Sequence, residues 1–283
     1  MNEQVTIIIL THKSKKLVLD YIKNLYKKFK IIIVDNSKDT ELEKIITTNY
    51  PEVAIYLISN NGYSDQINFG CKFVKTKYFL ISNPDVRGIN EKSIQNFIDA
   101  SIKLDDKFSV LGPRYINANP KSLKQTKKDK EIAELRILSG ACMFFNKKNY
   151  DLVGGFDNNI FLYFEENDYC KRSIHFFKNY QINNIEIFHE GGNSVACENQ
   201  NEVKDQQELR QWHFVWSKFY YYKKNYGYIY AVIFFIPIIL RTGLKILLYL
   251  IIKDEVNYFK YKNRWSGMVS SIKGEKSYKR PKY

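Results

Sequence analysis

Four stretches of this 283-residue chain place hydrogen-bonding side chains directly after short apolar runs. In KYFLISNPDVRG the run at 78–81 stops in Asn83-Pro84-Asp85 and leaves a carboxylate at its end. The runs at 5–10, 31–34 and 53–58 end in Thr11-His12, Asp35-Asn36-Ser37 and Ser59-Asn60-Asn61-Gly62. Any one of these is an ordinary turn, because Asn, Asp, Ser and Pro favour turn geometry and Pro cannot continue a central strand. Four of them at the ends of neighbouring strands would form an edge of donors and acceptors suited to a polar ligand. A fifth group, Glu165-Glu166-Asn167-Asp168, gathers three carboxylates where a helix is expected to open, with Asp168 four residues before Arg172. A capped helix with an i, i+4 ion pair accounts for that group as well as acid–base chemistry does. His189, behind the strand-like IEIF, is open in the same way between a structural residue and a ligand.

The elements that would position these residues follow from hydrophobic spacing. The apolar runs, with a further one at 110–111, alternate with segments of helical period such as Leu17, Tyr21, Ile22 and Leu25. Continuous short runs between helices predict an α/β fold whose mainly parallel sheet is covered on both faces. Ligands then sit beyond the carboxyl ends of the strands, where the polar groups lie. A G-x-G-x-x-G turn is missing after the first strand, which argues against a nicotinamide or flavin enzyme. Residues 117–134, rich in Lys, Asn and Asp, read as a mobile loop or lid. Cys71, Cys142, Cys170 and Cys197 are widely spaced and read as reduced thiols, not as a disulfide frame or zinc site. The start, MNEQVTIIIL, lacks the pattern of a signal peptide, so the domain is expected to face the cytoplasm.

The net charge of +14 is unevenly placed. From Lys204 onward there are 16 Lys or Arg against 5 Asp or Glu, so that end carries +11 of the total. Residues 228–252 contain only Arg241 and Lys245 as charges and are long enough to cross a bilayer, for which about 20 residues suffice. Pro237 and the two central charges favour two shorter helices lying in the interface of an anionic membrane, flanked by Tyr, Trp and Lys.

Six ordered pieces, ILTHKS, IIIVDNS, NNGYSDQINFG, LISNPDV, SGACMFF…VGGFDNNIFLYFEENDYCKR and HEGGNS, resemble family 2 glycosyltransferases of the GT-A fold, in the bacterial rhamnosyltransferase-like branch. The resemblance implies a Rossmann-like sheet with helices on both faces, a transferase domain at 1–211 and a basic, aromatic helical extension at 212–283 that associates with membrane. NPD stands where the family carries its D-x-D metal motif, with Asn83 in place of the first Asp. Asp85 is then implied to hold Mg²⁺ or Mn²⁺ against a nucleoside-diphosphate sugar of UDP or dTDP type, with His189 as a second ligand, since one carboxylate binds a hard cation less tightly than two. Thr11 and Asp35 are implied near the nucleobase, and Asn60, Gly62, Asn68 and Asn83 along the donor pocket. Gly191 and Gly192 would allow close approach to the phosphates. Glu166 matches the family's catalytic base, kept ionised by the helix dipole, with Asp168 second in line and Glu165 orienting the acceptor. The implied reaction is inverting transfer of rhamnose or a similar sugar to a hydroxyl of a lipid-linked or growing surface-glycan acceptor. Its place would be the cytoplasmic face of the inner membrane, as a peripheral protein. A noncatalytic sugar-nucleotide-binding module is the alternative, weakened by the presence of both Asp85 and Glu166. Nucleic-acid binding, which the charge invites, leaves the acidic group and NPD without a purpose.

Overall fold

The computed structural model describes residues 2–119, 123–191, 195–197 and 199–282. In chain order its elements begin with β1 (Asn2–Thr11), α1 (Lys15–Ile22), β2 (Phe29–Asp35), α2 (Thr40–Asn49), β3 (Ala54–Leu57), α3 (Tyr63–Cys71) and β4 (Tyr78–Ser82). They continue with β5 (Val86–Arg87), α4 (Glu91–Lys103), β6 (Val110–Tyr115), β7 (Ile132–Glu134), β8 (Cys142–Asn146), α5 (Lys147–Val153), α6 (Glu165–Ser173) and β9 (Asn179–His189). Three long helices follow: α7 (Gln200–Tyr226), α8 (Tyr228–Ile251) and α9 (Glu255–Ile272). Packing groups the chain into two compact units. One holds Met1–Asn61, Asp65–Phe156 and Tyr169–Ala196; the other holds Gly62–Ser64, Asp157–Asp168 and Cys197–Tyr283.

In the first unit the strands lie in the order β3-β2-β1-β4-β8-β6-β9-β5, with β7 on β9. The four N-terminal strands run parallel, in a register that sets Thr11 beside Asp35, Asp35 beside Leu57 and Ile9 beside Ser82. Their carboxyl ends therefore share one edge. The apolar runs are continuous because both sheet faces are covered. Phe144 of β8 stacks on Phe97 of α4 with centroids 4.9 Å apart, while its neighbour Phe145 faces the other way, stacked on Phe79 at 5.0 Å and edge-on to Tyr150 of α5 at 5.4 Å. Cys71, Cys142 and Cys170 are buried free thiols, and Cys197 is half-buried and also free.

The stretch 117–134 is not a loose lid in its described part. β7 pairs with β9, Arg114 donates to the Thr126 carbonyl at 2.8 Å, and the Asn183 amide donates to the carbonyls of Lys127 at 2.9 Å and Lys130 at 2.8 Å. The polar composition that reads as a mobile loop supplies the bonds that tie the segment to the sheet.

In the second unit α7 packs on α9 and α8 against both. Trp212, Trp216, Phe219 and Phe235 are almost fully buried there. The segment expected to split at Pro237 forms one 24-residue helix, α8. An internal Pro removes one backbone bond and costs about 3 kcal/mol. Here Pro237 is exposed, and Ala231 and Phe235 on the opposite side pack into a cluster with Val215, Phe219 and Met268 that holds the helix in register. The outward row, including Ile229, Ile233, Leu240, Leu244, Leu247 and Ile251, is exposed. An 18-residue window of α8 has a mean hydropathy of 2.1, and α8 is the one helix among the described residues long and apolar enough to cross a membrane.

Candidate active site

The ends of β1 and β2 are held together by buried amides. Gln66 of α3 donates from Nε2 to the carbonyls of Thr11 at 2.9 Å and Val34 at 2.6 Å. Asn36 donates from Nδ2 to Asn60 Oδ1 at 3.1 Å and to Gln66 Oε1 at 3.3 Å. His12 Nδ1 lies 2.7 Å from Asn36 Oδ1, and burial lowers the His12 pKa, so a neutral ring donates from Nδ1 to the amide oxygen. That leaves Thr11 Oγ1 and His12 Nε2 buried with no partner among the described residues. Buried polar atoms without partners are uncommon, and these two end a network that a polar ligand would complete. His12 and Asn36 belong to the polar strand ends expected on this edge, without a role of their own, and Gln66 was not singled out. Their signal was their place inside THKS, VDNS and SDQIN.

Several expected donor-pocket residues have structural duties. Asp35 is fully buried; it accepts from the Ser37 N–H and hydroxyl, both at 2.6 Å, and from the Asp39 N–H at 3.0 Å. It thereby fixes the turn from which Asp39 caps α2 through the Leu42 N–H at 2.8 Å. Asn68 Oδ1 accepts from the Tyr150 hydroxyl at 2.7 Å and the Phe156 N–H at 3.0 Å, and its Nδ2 donates to the Phe156 carbonyl at 2.8 Å. In the second unit Gly62, at φ +110°, leaves no room for a Cβ, which would lie 2.6 Å from Phe161 Cα. Its neighbour Tyr63 donates to the Phe161 carbonyl at 2.7 Å.

Asn83 opens the turn after β4, its N–H bonded to the Ala141 carbonyl at 2.9 Å and its carbonyl to the Val86 N–H at 3.3 Å. The short antiparallel pairing of β5 with β9 sets Val86 beside His189 and lets the Glu190 N–H donate to the Asp85 carbonyl at 3.2 Å. Asp85 and His189 are thus brought together, with His189 Nε2 3.3 Å from Asp85 Oδ1. Asp85 is 0% exposed, yet neither of its carboxylate oxygens has a hydrogen-bond partner among the described residues. A charge in that position is costly unless something cationic meets it. Two donors of this type, an oxygen and an imidazole, fit Mg²⁺ or Mn²⁺ provided that a ligand supplies the remaining oxygens. Among the described residues there is no cluster of three or more His, Cys, Asp or Glu that would hold a metal unaided. Gly191 has φ +56°, and Gly192, Asn193 and Ser194 of the HEGGNS motif lie outside the described residues.

The acidic group belongs to a different construction. Tyr163 and Phe164, immediately before Glu165, both have left-handed backbone, φ +66° and +68°. Non-glycine residues held there cost about 1–3 kcal/mol each and persist only where the surroundings impose them. One face of α7 does so. His213 stacks on Phe161 at 4.5 Å, and Ser217 donates to the Leu162 carbonyl at 2.8 Å. Phe214 packs on Tyr163 and Phe164, and Tyr221 packs on Phe164. Tyr220 donates to Asp157 at 3.0 Å, while Lys224 reaches both Asp157 at 2.6 Å and Asp168 at 2.9 Å. Asn225 also donates to Asp168, at 3.3 Å. The positions 213, 214, 217, 220, 221, 224 and 225 are one helical stripe. Arg172, four residues after Asp168, donates to the carbonyls of Val153 at 2.9 Å and Gly155 at 2.6 Å.

Glu165 and Glu166 each keep a buried Oε2 without a partner among the described residues. Burial pushes the Glu166 pKa up to about 7, and burial together with the charge of Glu166 pushes Glu165 well above the carboxylate range. The helix dipole was expected to keep Glu166 ionised, but a helix N-terminus contributes about 0.3–1 kcal/mol at the surface, and desolvation outweighs it here. The result is a carboxyl group poised to exchange a proton near neutral pH, beside a second one whose pKa is raised in the same direction.

The model of the family described as glycosyl transferase family 2 matches residues 6–177. Among characterised proteins, the low-salt glycan biosynthesis hexosyltransferase Agl10 of Haloferax volcanii is 24% identical over 201 residues, covering 61% of this chain and 62% of that protein. The chain thus spans less than two thirds of that relative's length. Among solved structures, the mannosyltransferase PcManGT of Pyrobaculum calidifontis, in complex with GDP-Man and Mn²⁺, aligns with a TM-score of 0.59 at 13% identity over 96% of this chain and 88% of that one. TarS 1–349 of S. aureus aligns at 0.55 and 13% identity, over 96% and 92%. At such identities these two show a shared GT-A fold.

Proposed function

We propose, from the premise that the chain belongs to glycosyl transferase family 2, that it transfers a hexose or deoxyhexose, rhamnose or similar, from a nucleoside-diphosphate donor to an acceptor hydroxyl with inversion. The observation that carries this reading is the fully buried, unpartnered carboxylate of Asp85 beside His189, at the edge where the parallel strands end. Asp85 and His189 would hold a divalent cation, Mg²⁺ or Mn²⁺. When bound, that cation offsets the charge of the departing diphosphate. Support for a metal and a nucleotide sugar comes from PcManGT, seen with GDP-Man and Mn²⁺. Thr11 and His12 offer the unpaired groups for the nucleoside, and Gln66 and Asn36 keep them in place. A UDP or dTDP donor follows from the motif resemblance.

Glu166 takes the acceptor proton. Its raised pKa suits that task, because a base works best when its pKa lies near the working pH. Glu165 alongside orients the acceptor by hydrogen bonding. Asp168 acts through position, holding α6 against Lys224. The acceptor is read as a lipid-linked or growing surface glycan, which accords with the glycan-biosynthesis role named for Agl10. In this reading residues 1–211 carry the transfer. Residues 212–283 lie on the cytoplasmic face of the inner membrane without crossing it, with the outward apolar row of α8 in the interface and Arg241 directed to headgroups.

The test is calorimetric titration of the full chain with a panel of nucleotide sugars, with Mg²⁺ or Mn²⁺ and with EDTA. One donor is expected to bind only with metal. Binding of none, or equal binding in EDTA, would contradict the proposal.

A further inference from the structure

Helices α8 and α9 form an open cleft of about 290 Å³ lined by Pro237, Ile238, Arg241, Thr242, Tyr261 and Arg264. Two guanidinium groups line this small space. Among the described residues neither Arg241 nor Arg264 has a carboxylate partner, and Arg264 Nε is buried with no hydrogen-bond partner at all. A buried guanidinium N–H left unpaired is unfavourable, and the planar fork of Arg matches the oxygens of a phosphate. Tyr261 adds a directed donor. Lys245 Nζ donates to the Tyr261 oxygen at 2.8 Å and lowers its pKa, which leaves the phenol O–H free to point elsewhere and makes it a better donor. Arg264 lies over the same ring at 5.6 Å. The Thr242 hydroxyl completes a set of donors with no acidic lining residue.

The neighbourhood selects the kind of phosphate. On α8, Arg241 is flanked by exposed Leu240 and by exposed Leu244 one turn on, within the apolar row that continues to Ile251. A free anion gains nothing from that row, whereas a lipid places its phosphate among the arginines and its chains along the leucines. We infer that the cleft between α8 and α9 is a binding site for the phosphate group of an anionic lipid. This deepens the membrane reading above, and it rests on that reading for where the lipid is met.

Calorimetry with a soluble short-chain phosphatidic acid, below its micelle concentration, tests the pocket apart from the membrane. The full chain is expected to bind it, and Arg264→Lys and Arg241→Gln are each expected to weaken binding by about tenfold, given the strength of charge-assisted pairs. Arg241 is exposed, so its variant keeps the test valid should Arg264→Lys misfold. The variant Lys253→Gln/Lys273→Gln, which removes two exposed charges outside the cavity, is expected to bind like the unaltered chain. Equal binding by the arginine variants would overturn the site. Inorganic phosphate bound as tightly as the lipid would overturn the lipid as its source. Sedimentation with anionic vesicles separates the two readings: pelleting unchanged in arginine variants that also keep short-chain lipid binding sinks the pocket alone, whereas short-chain binding without pelleting of the unaltered chain sinks the membrane reading alone.

Discussion

Asp85 and Asp168 are both carboxylates at 0% exposure, each in a motif of the same family resemblance. Asp85 has no hydrogen-bond partner for either oxygen and a histidine nitrogen 3.3 Å away. Asp168 is met by Lys224 at 2.9 Å and Asn225 at 3.3 Å. A buried charge with its partners in place is a structural element; one without them is, in the proposed reading, where a cation would be held. Glu166 stands between these cases, for it is half-buried with a buried Oε2 that has no partner among the described residues, but its raised pKa relieves the cost by taking up a proton.

The contrast is most exposed to test at Asp85. Asp85→Ala is expected to reduce transfer by about 10³-fold or more, the several kcal/mol that a lost metal contact costs. Transfer that persists in Asp85→Ala, or is unaffected by EDTA, would remove the cation from the account. Glu166→Gln comes next, with a loss of roughly 10²-fold or more in kcat and donor affinity retained. Because the base must be unprotonated, the rate should rise with pH through about 7 in the unaltered chain, and that limb should vanish in Glu166→Gln. Stability has the opposite slope. A carboxyl whose folded pKa is raised stabilises the fold below its unfolded pKa and loses that contribution as pH climbs to about 7, so the same substitution should flatten the stability profile in that window.

Lys224→Met should act through the fold. It removes the cation shared by Asp157 and Asp168, which keep Tyr220 and Asn225, and is expected to lower stability by about 1–2 kcal/mol, less than the loss of a fully buried pair because Lys224 is partly exposed. Adding Asp168→Asn should recover part of that loss; strict additivity would show that the pair is not coupled. The smallest effect is expected at Asn68→Ala, about 1–2 kcal/mol of stability with little change in donor affinity, since its amide holds Tyr150 and Phe156. A rise in donor Kd at unchanged melting temperature would return Asn68 to the donor pocket.

The strand edge could be read from the chain because its signals are local. Runs buried on both faces are continuous, and the residue that ends each run is adjacent to it. The part of Lys224 in supporting the acidic group could not be read, because it lies 56 residues from Asp168 and local rules reach only three or four. Within the second unit one stripe of α7 from His213 to Asn225 carries the turn that leads into Glu165, again through contacts far apart in sequence. Pro237 misled in the same way. Its local preference was overridden by Phe235 and Ala231, whose packing partners lie in α7 and α9. At Glu166 the helix start was legible and the burial was not, so the sign of the pKa shift came out reversed.

The claim that Asp85 is the open carboxylate and Asp168 the closed one is tested most directly by titrating UDP into the full chain with and without Mn²⁺. The unaltered protein and Asp168→Asn, so long as the latter remains folded, should both show a metal-dependent gain in affinity, and Asp85→Asn should lose it. A metal-dependent gain that survives in Asp85→Asn and disappears in a folded Asp168→Asn would contradict the account.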